Sequence, residues 1–286
     1  MINKFVYLLF IAVCGSCTQH AGTEKHQGKR DKIVNVRDKV KEIAIEDVLI
    51  GSHTSLYMIC DYLIIIDYKS MDELIHIFDK NNFNHVLSAI PKGEGPGEIV
   101  VIGSIVEDNT HRRFFVSDHG KQKIFSYDLD SLLADPSYMP NLKMNMKREQ
   151  LPSWYRYIND TLCIGVIIEP IGVGDFKPTV GRWNMNTGEI TLMPYEHPDI
   201  KRKRFLFAAS VEHEIYAECY SHYDLMTVCT LAGELKYNIY GPDWKNGSVR
   251  HYSVVDFCGD KIFALYSGAE PFYHDAKGEK KSNAPT

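Results

Sequence analysis

The sequence predicts an all-β chain folded as a β-propeller of four-stranded blades, and three observations carry that prediction. One unit recurs: YLIIIDYKSMDELIHIFDK, Tyr62 to Lys80, reads as a strand (Leu63–Asp67), a polar turn and a second strand (Leu74–Asp79). Both runs are filled with β-branched and aromatic residues, and an acid closes each. Related units begin at Phe114, Leu162, Ile215 and Ile262, at successive steps of 51, 48, 53 and 47 residues counted from the strand start at Leu63. A near-constant step of this size matches a blade of four strands and their turns. The 17 tyrosines and 13 phenylalanines suit a sheet-rich chain.

Composition bounds the function. The chain has 286 residues, 44% apolar and 24% charged, which is ordinary for a globular protein. A net charge of −5 excludes a general nucleic-acid binder, which needs a basic field along one face. Cys60, Cys163, Cys219, Cys229 and Cys258 each fall in or at the end of a predicted strand, where they read as small buried hydrophobes with free thiols.

The N-terminus reads as an address. After Lys4 comes FVYLLFIAV, an apolar run long enough for a secretory signal and too short for a membrane span. Ser16 supplies the small residue needed before a cut at Cys17, whereas Val13 before Cys14 does not. Residues 1–17 resemble a bacterial lipoprotein signal, with Cys17 as the acylated residue and the membrane as a partner through that anchor. Polar residues 18–39 read as a flexible tether, and 40–286 as the propeller domain.

Within that domain, Lys41–Val48 alternates and is assigned as an early strand completing the final blade. Blade one follows as Ser55–Cys60, Leu63–Asp67, Leu74–Asp79 and Phe83–Ile90, with Asn81-Asn82 at the last turn. Next, Pro91–Glu98 (PKGEGPGE) packs three glycines and two prolines into eight residues, so it is neither strand nor helix. It lacks the GKS or GKT ending of a phosphate loop and reads as a rigid crossover between blades.

That loop, after a first blade and a lipoprotein signal, resembles the six-bladed β-propeller lipoproteins of Bacteroides-type bacteria, of TolB-like or NHL-like kind. The resemblance covers residues 40 to 268 and implies a propeller exported to the cell envelope, without a settled activity. Blade two runs from about Val100 to Leu142, with one helical turn in Leu129–Tyr138. Blade three spans about Met144–Met193 and blade four about Arg204–Tyr240. Blade five shows two strands, Tyr252–Phe257 and Lys261–Tyr266. The pattern then stops. About five blades are present where a six-bladed parent is implied, a shortfall of roughly 60 residues. The favoured reading is an incomplete ring; the other is a five-bladed ring closed by Phe272–Asp275 and the strand near Ile43.

Catalytic motifs are missing from the sequence: there is no G-x-S-x-G, no H-E-x-x-H and no EF-hand loop. Glu212, His213 and Glu214 read as a solvated turn. Propeller lactonases hold calcium in the channel, and Asp108, Asn159 and Asp256 end successive first strands. Their default role is turn formation, so no cofactor is expected, and calcium held by these three residues is the lesser reading.

The candidate ligand residues are Trp154 and Arg156 in WYRY, Arg204, Arg250 and Tyr252. Each falls where the innermost strand of a blade is predicted to begin, at one mouth of the channel. Arginine beside aromatic rings suits carboxylate, phosphate or sugar ligands. The sequence thus points to a lipid-anchored envelope module that binds or scaffolds a peptide, glycan or partner protein. The alternative is a lactonase-like hydrolase or lyase with a metal in the channel. Residues 18–22 carry no acidic cluster after Cys17, which in the lipoproteins this chain resembles would signal surface export, so the resemblance implies an outer-membrane lipoprotein facing the periplasm.

Overall fold

Why this chain forms blades is plainest in the alternation of its strands. The computed structural model describes residues 22–29, 37–244 and 249–269, together with two short strands, 272–274 and 280–282. In chain order, β1 is Glu24–His26. Blade one is β2 (Thr54–Ile59), β3 (Tyr62–Asp67), β4 (Glu73–Asp79) and β5 (His85–Pro91). Blade two is β6 (Ile102–Asp108), β7 (Arg113–Asp118), β8 (Lys123–Asp128) and β9 (Asn141–Asn145), with the helix α1 (Leu129–Ala134) between the last two. Blade three is β10 (Leu151–Tyr157), β11 (Leu162–Gly172), β12 (Asp175–Asn184) and β13 (Ile190–Leu192). Each blade is a four-stranded sheet in sequence order, and every pairing within it is antiparallel.

These three blades lie in one compact unit, Val34–Lys203 with Phe207–Val211. Period-two alternation sends neighbouring side chains to opposite faces of a sheet. In β7, Phe114 and Val116 join Ile64, Ile66, Ile75 and Ile77 of blade one in one buried cluster. Phe115, between them, joins Tyr155, Cys163, Ile167 and Trp183 of blade three in another. Blade two is therefore a wall buried on both sides, which is why its central strand reads as an unbroken apolar run.

The second unit comprises Met1–Ile33, Arg204–Leu206 and Glu212–Thr286. Its strands β15 (Ile215–Tyr220), β16 (Leu225–Thr230) and β17 (Leu235–Tyr240) belong to a sheet ordered β1-β17-β16-β15-β14, in which β14 (Phe205–Ser210) is divided between the two units. Two hairpins follow: β18 (Arg250–Cys258) with β19 (Lys261–Ala269), and β20 (Phe272–His274) with β21 (Lys280–Ser282).

The predicted cadence holds. The recurring unit is the second strand of each blade, beginning at Tyr62, Arg113, Leu162, Ile215 and Lys261. Three expectations change. Lys41–Val48 forms no strand: Ile43 and Ile45 alternate, but both are exposed, so the alternation has no buried face to serve. The strand added from the N-terminal side is β1, which pairs in parallel with β17, inside the stretch predicted to be a flexible tether. Three polar residues form it because polar partners, not apolar burial, hold them. Finally, Phe272–His274 pairs with Lys280–Ser282 rather than with a strand near Ile43. The signal segment and Cys17 lie outside the described residues.

The cysteines agree with the reading of free thiols. Cys60, Cys163, Cys219, Cys229 and Cys258 are all unpaired with one another, and Cys163, Cys219 and Cys229 are buried. Burial pushes the Cys163 and Cys219 thiols far above the ordinary range.

Candidate functional site

The first strands of blades one to three, β2, β6 and β10, run beside one another. On β10 the pairing with β11 slips by one residue. Ser153 faces Val166 and Tyr155 faces Gly165, leaving Trp154 as the extra residue of a β-bulge. Its φ is +36°, in the left-handed region that a bulky residue rarely enters. A bulge re-aims a side chain. Here it turns Trp154 outward, 60% exposed, between Ser153 and Tyr155, which are both buried.

Gly165 makes the bulge possible. A Cβ at that position would lie 2.4 Å from the Cβ of Tyr155 and 2.6 Å from the carbonyl oxygen of Trp154. The glycine in the run LCIGVII was the sequence signal for this feature, since an isolated glycine inside a strand marks a bulge or a close backbone approach.

Arg156, two residues on, reaches across to β6 and donates from Nη1 to Glu107 Oε1 at 2.5 Å. The pair is largely shielded, with side-chain exposures of 32% and 20%. Next to it stands Tyr57 of β2, whose hydroxyl meets Tyr68 and the Ile105 backbone; burial first, then Tyr68, pushes it well above the ordinary phenol range. Behind Trp154, Tyr155 packs edge-on against Trp183 at 4.8 Å and shares a 3.3 Å hydrogen bond with Ser117. The strand that presents the exposed indole is therefore packed within blade three and tied to blade two.

The predicted site residues divide. Trp154 and Arg156 are two residues apart, but they lie at the middle and towards the end of β10, whose start is Leu151. Arg156 is engaged by Glu107, so its guanidinium is not the open anion fork that the sequence suggested. Arg204 immediately precedes β14, and its carbonyl accepts from the Ser221 amide at 2.9 Å. Arg250 opens β18 and is exposed. Tyr252 is buried, with its hydroxyl on Asp224 Oδ1 at 3.1 Å. It packs at 5.7 Å against Tyr266 and is a core residue rather than a ligand contact.

The acidic positions each have partners within the chain. Asp108 is buried and accepts from Arg113 Nε at 2.7 Å and from the His111 ring and amide. Burial pushes its carboxyl up, and these hydrogen bonds outweigh that, holding it below the ordinary value. Asp108, His111 and Asp160 are grouped closely enough to hold a metal ion. However, Arg113 already bridges the two carboxylates, at 2.7 Å from Asp108 and 3.3 Å from Asp160. A cation of the chain itself thus already neutralises both carboxylates. Asn159 caps its own turn through Thr161 and Leu162, and Asp256 accepts from the next amide, Phe257, at 2.8 Å. Glu212, His213 and Glu214 form the exposed turn between β14 and β15.

The PKGEGPGE loop is equally self-contained. Glu98 Oε2 accepts from the Gly95 amide at 2.7 Å, so a carboxylate of the chain itself occupies the anion position. Lys121 Nζ clamps the loop by donating to the carbonyls of Gly95 and Glu98 at 2.7 and 2.8 Å. A Cβ on Gly93 would fall 2.0 Å from Glu98 Oε2, which explains the glycine there.

Comparison with known proteins agrees with this architecture. A family described as a 6-bladed beta-propeller (DUF5128) matches residues 43–157, which include the Gly-Pro loop and the Trp154 bulge. Among solved structures, a protein of Bacteroides fragilis described as exported is similar at a TM-score of 0.52 and 13% identity, over 90% of this chain and 78% of that one. A chain of a nidogen/laminin complex gives a TM-score of 0.49 at 10% identity, over 74% and 70% of the two chains. A DUF4221 family member from Bacteroides vulgatus gives 0.47 at 15%, over 70% and 59%. No curated protein matches. At 13% identity the likeness to the Bacteroides fragilis protein concerns the fold alone.

Proposed function

We propose that this chain is a lipid-anchored β-propeller of the cell envelope that acts as a binding module, and that its ligand stacks on Trp154. The observation that carries the reading is the bulge: a strained backbone, a glycine opposite and a buried aromatic support all serve to hold one large indole in solvent. Backbone strain of this kind costs roughly 1–3 kcal/mol and clusters at functional positions. Because Arg156 is neutralised by Glu107, the surface favours a neutral ring over a carboxylate or phosphate. A sugar ring of a glycan, laid on the indole face, has that chemistry.

The exported Bacteroides neighbour and the pattern ending at Cys17 support the envelope location. The binding reading is preferred to the lactonase-like alternative, because Arg113 already pairs with Asp108, one of the three residues that alternative would use, and with Asp160 beside it. A glycan array probed with the wild-type protein and with Trp154→Ala tests the reading. Specific binding that disappears in the variant and survives chelation of divalent ions is the expected result. Binding that is identical in both proteins would remove Trp154 from the site.

A further inference from the structure

We infer that the β1–β17 edge is the side of its sheet held against the lipid surface, an inference that rests on the proposed acylation of Cys17. Glu24 is seven residues on from Cys17. At no more than about 3.6 Å per residue that span reaches about 25 Å. A free tether of residues 18–39 would reach about 80 Å by the same rule. Docking of β1 therefore converts a long leash into a short one and decides which part of the molecule lies near the headgroups.

The docking is specific. Glu24 accepts from Asn238 Nδ2 at 3.0 Å and from the Tyr240 hydroxyl at 2.5 Å. The Gln27 amide donates to the Tyr240 carbonyl at 2.8 Å, and the Asn238 amide donates to the Thr23 carbonyl at 2.9 Å. His26 stacks on Tyr240 with centroids 4.5 Å apart and planes 8° from parallel. The outer surface suits an anionic headgroup layer. Lys25 and Lys236 are exposed, Lys25 sits over the half-exposed Tyr237 ring, and the one acid of the pair of strands, Glu24, is spent on Asn238 and Tyr240. Lysine and tyrosine side chains of this kind favour a membrane interface.

The test uses full-length acylated protein on phosphatidylethanolamine–phosphatidylglycerol vesicles that carry an acceptor dye on the headgroup. A donor is placed on Lys236→Cys, with Cys258→Ser removing the exposed thiol. Energy transfer should be high. It should fall at least twofold when fifteen Gly/Ser residues are inserted between Thr18 and Gln19, a change that leaves β1 itself intact. Glu24→Ala, which frees β1, should produce the same fall. Transfer that ignores the insertion overturns the inference while leaving the anchor reading in place. Cys17→Ala reports separately: release from membranes upholds the anchor, and retention overturns the anchor reading and this inference with it.

Discussion

The Asn238 side-chain amide is oriented by two partners. Its Oδ1 accepts from Thr227 Oγ1 at 2.8 Å, and its Nδ2 donates to Glu24 Oε1 at 3.0 Å, across 214 residues of chain. Thr227 and Asn238 are both buried. Asn238→Asp keeps the shape and inverts the sense of the second bond, setting a carboxylate against that of Glu24. A buried hydrogen bond lost in this way costs about 1–3 kcal/mol. The expected outcome is a β1 that detaches while β14 to β17 persist, seen as fast amide exchange at Gln27 against protected amides in β16. Unchanged protection at Gln27 would show that β1 is held by something other than this pair.

Gly165→Ala should be among the most damaging single changes in blade three. The added carbon has no room, because its neighbours are the Tyr155 backbone and the Trp154 carbonyl rather than a mobile side-chain tip. Forcing the two strands apart also undoes the Tyr155–Trp183 contact. A loss of about 3 kcal/mol or more is expected from strain at such a packed site. By contrast, Trp154→Gly removes an exposed ring and relieves its positive φ, so urea unfolding should show no loss of stability, while any glycan binding disappears. If Trp154→Gly destabilises as much as Gly165→Ala, the indole is a packing residue.

Gly93 and Glu98 should be energetically coupled. Gly93→Ala drives a Cβ into the place of Glu98 Oε2, and the carboxylate must then leave the Gly95 amide. Glu98→Ala alone forfeits that charge-assisted bond, about 1.5–3 kcal/mol. In the double variant the clash is gone, so the two losses should sum to more than the loss measured. A double-mutant cycle by chemical denaturation reads this directly, and strict additivity would refute it.

The blades were legible because each second strand is buried on one or both faces and so carries a run of β-branched and aromatic residues. The crossover loop was legible because glycine and proline leave little choice of backbone. β1 was not: Glu-Lys-His has no apolar period, and its anchors, Asn238 and Tyr240, lie more than 200 residues away. Lys41–Val48 misled for the converse reason, since alternation without a buried partner surface specifies nothing. Trp154 and Arg156 were recognisable by type. Their environment was not, because Glu107 is 49 residues from Arg156 and the register slip at Trp154 depends on Gly165 in the next strand.

His76 makes the stability of blade one sensitive to acid. Its ring is buried, with Nδ1 2.8 Å from Ser88 Oγ, and the same hydroxyl lies 3.0 Å from His85 Nε2. Nε2 of His76 has no hydrogen-bond partner among the described residues. Burial first, and then His85, lowers its affinity for a proton; Asp67 on β3 opposes this and does not prevail. The folded value thus lies below the ordinary imidazole value of 6.5. The unfolded chain binds the proton first as the pH falls. Stability from neutral His76 is therefore complete above pH 6.5 and is lost as the pH drops from there through the folded value, at up to about 1.4 kcal/mol per pH unit. His76→Gln keeps a group that can bond Ser88 but cannot titrate. Urea midpoints for wild type and His76→Gln at pH 7.5, 6.5, 5.5 and 5.0 should converge, or cross, towards acid pH. Parallel curves would mean that His76 stays neutral in both states over this range, or takes up its proton without cost.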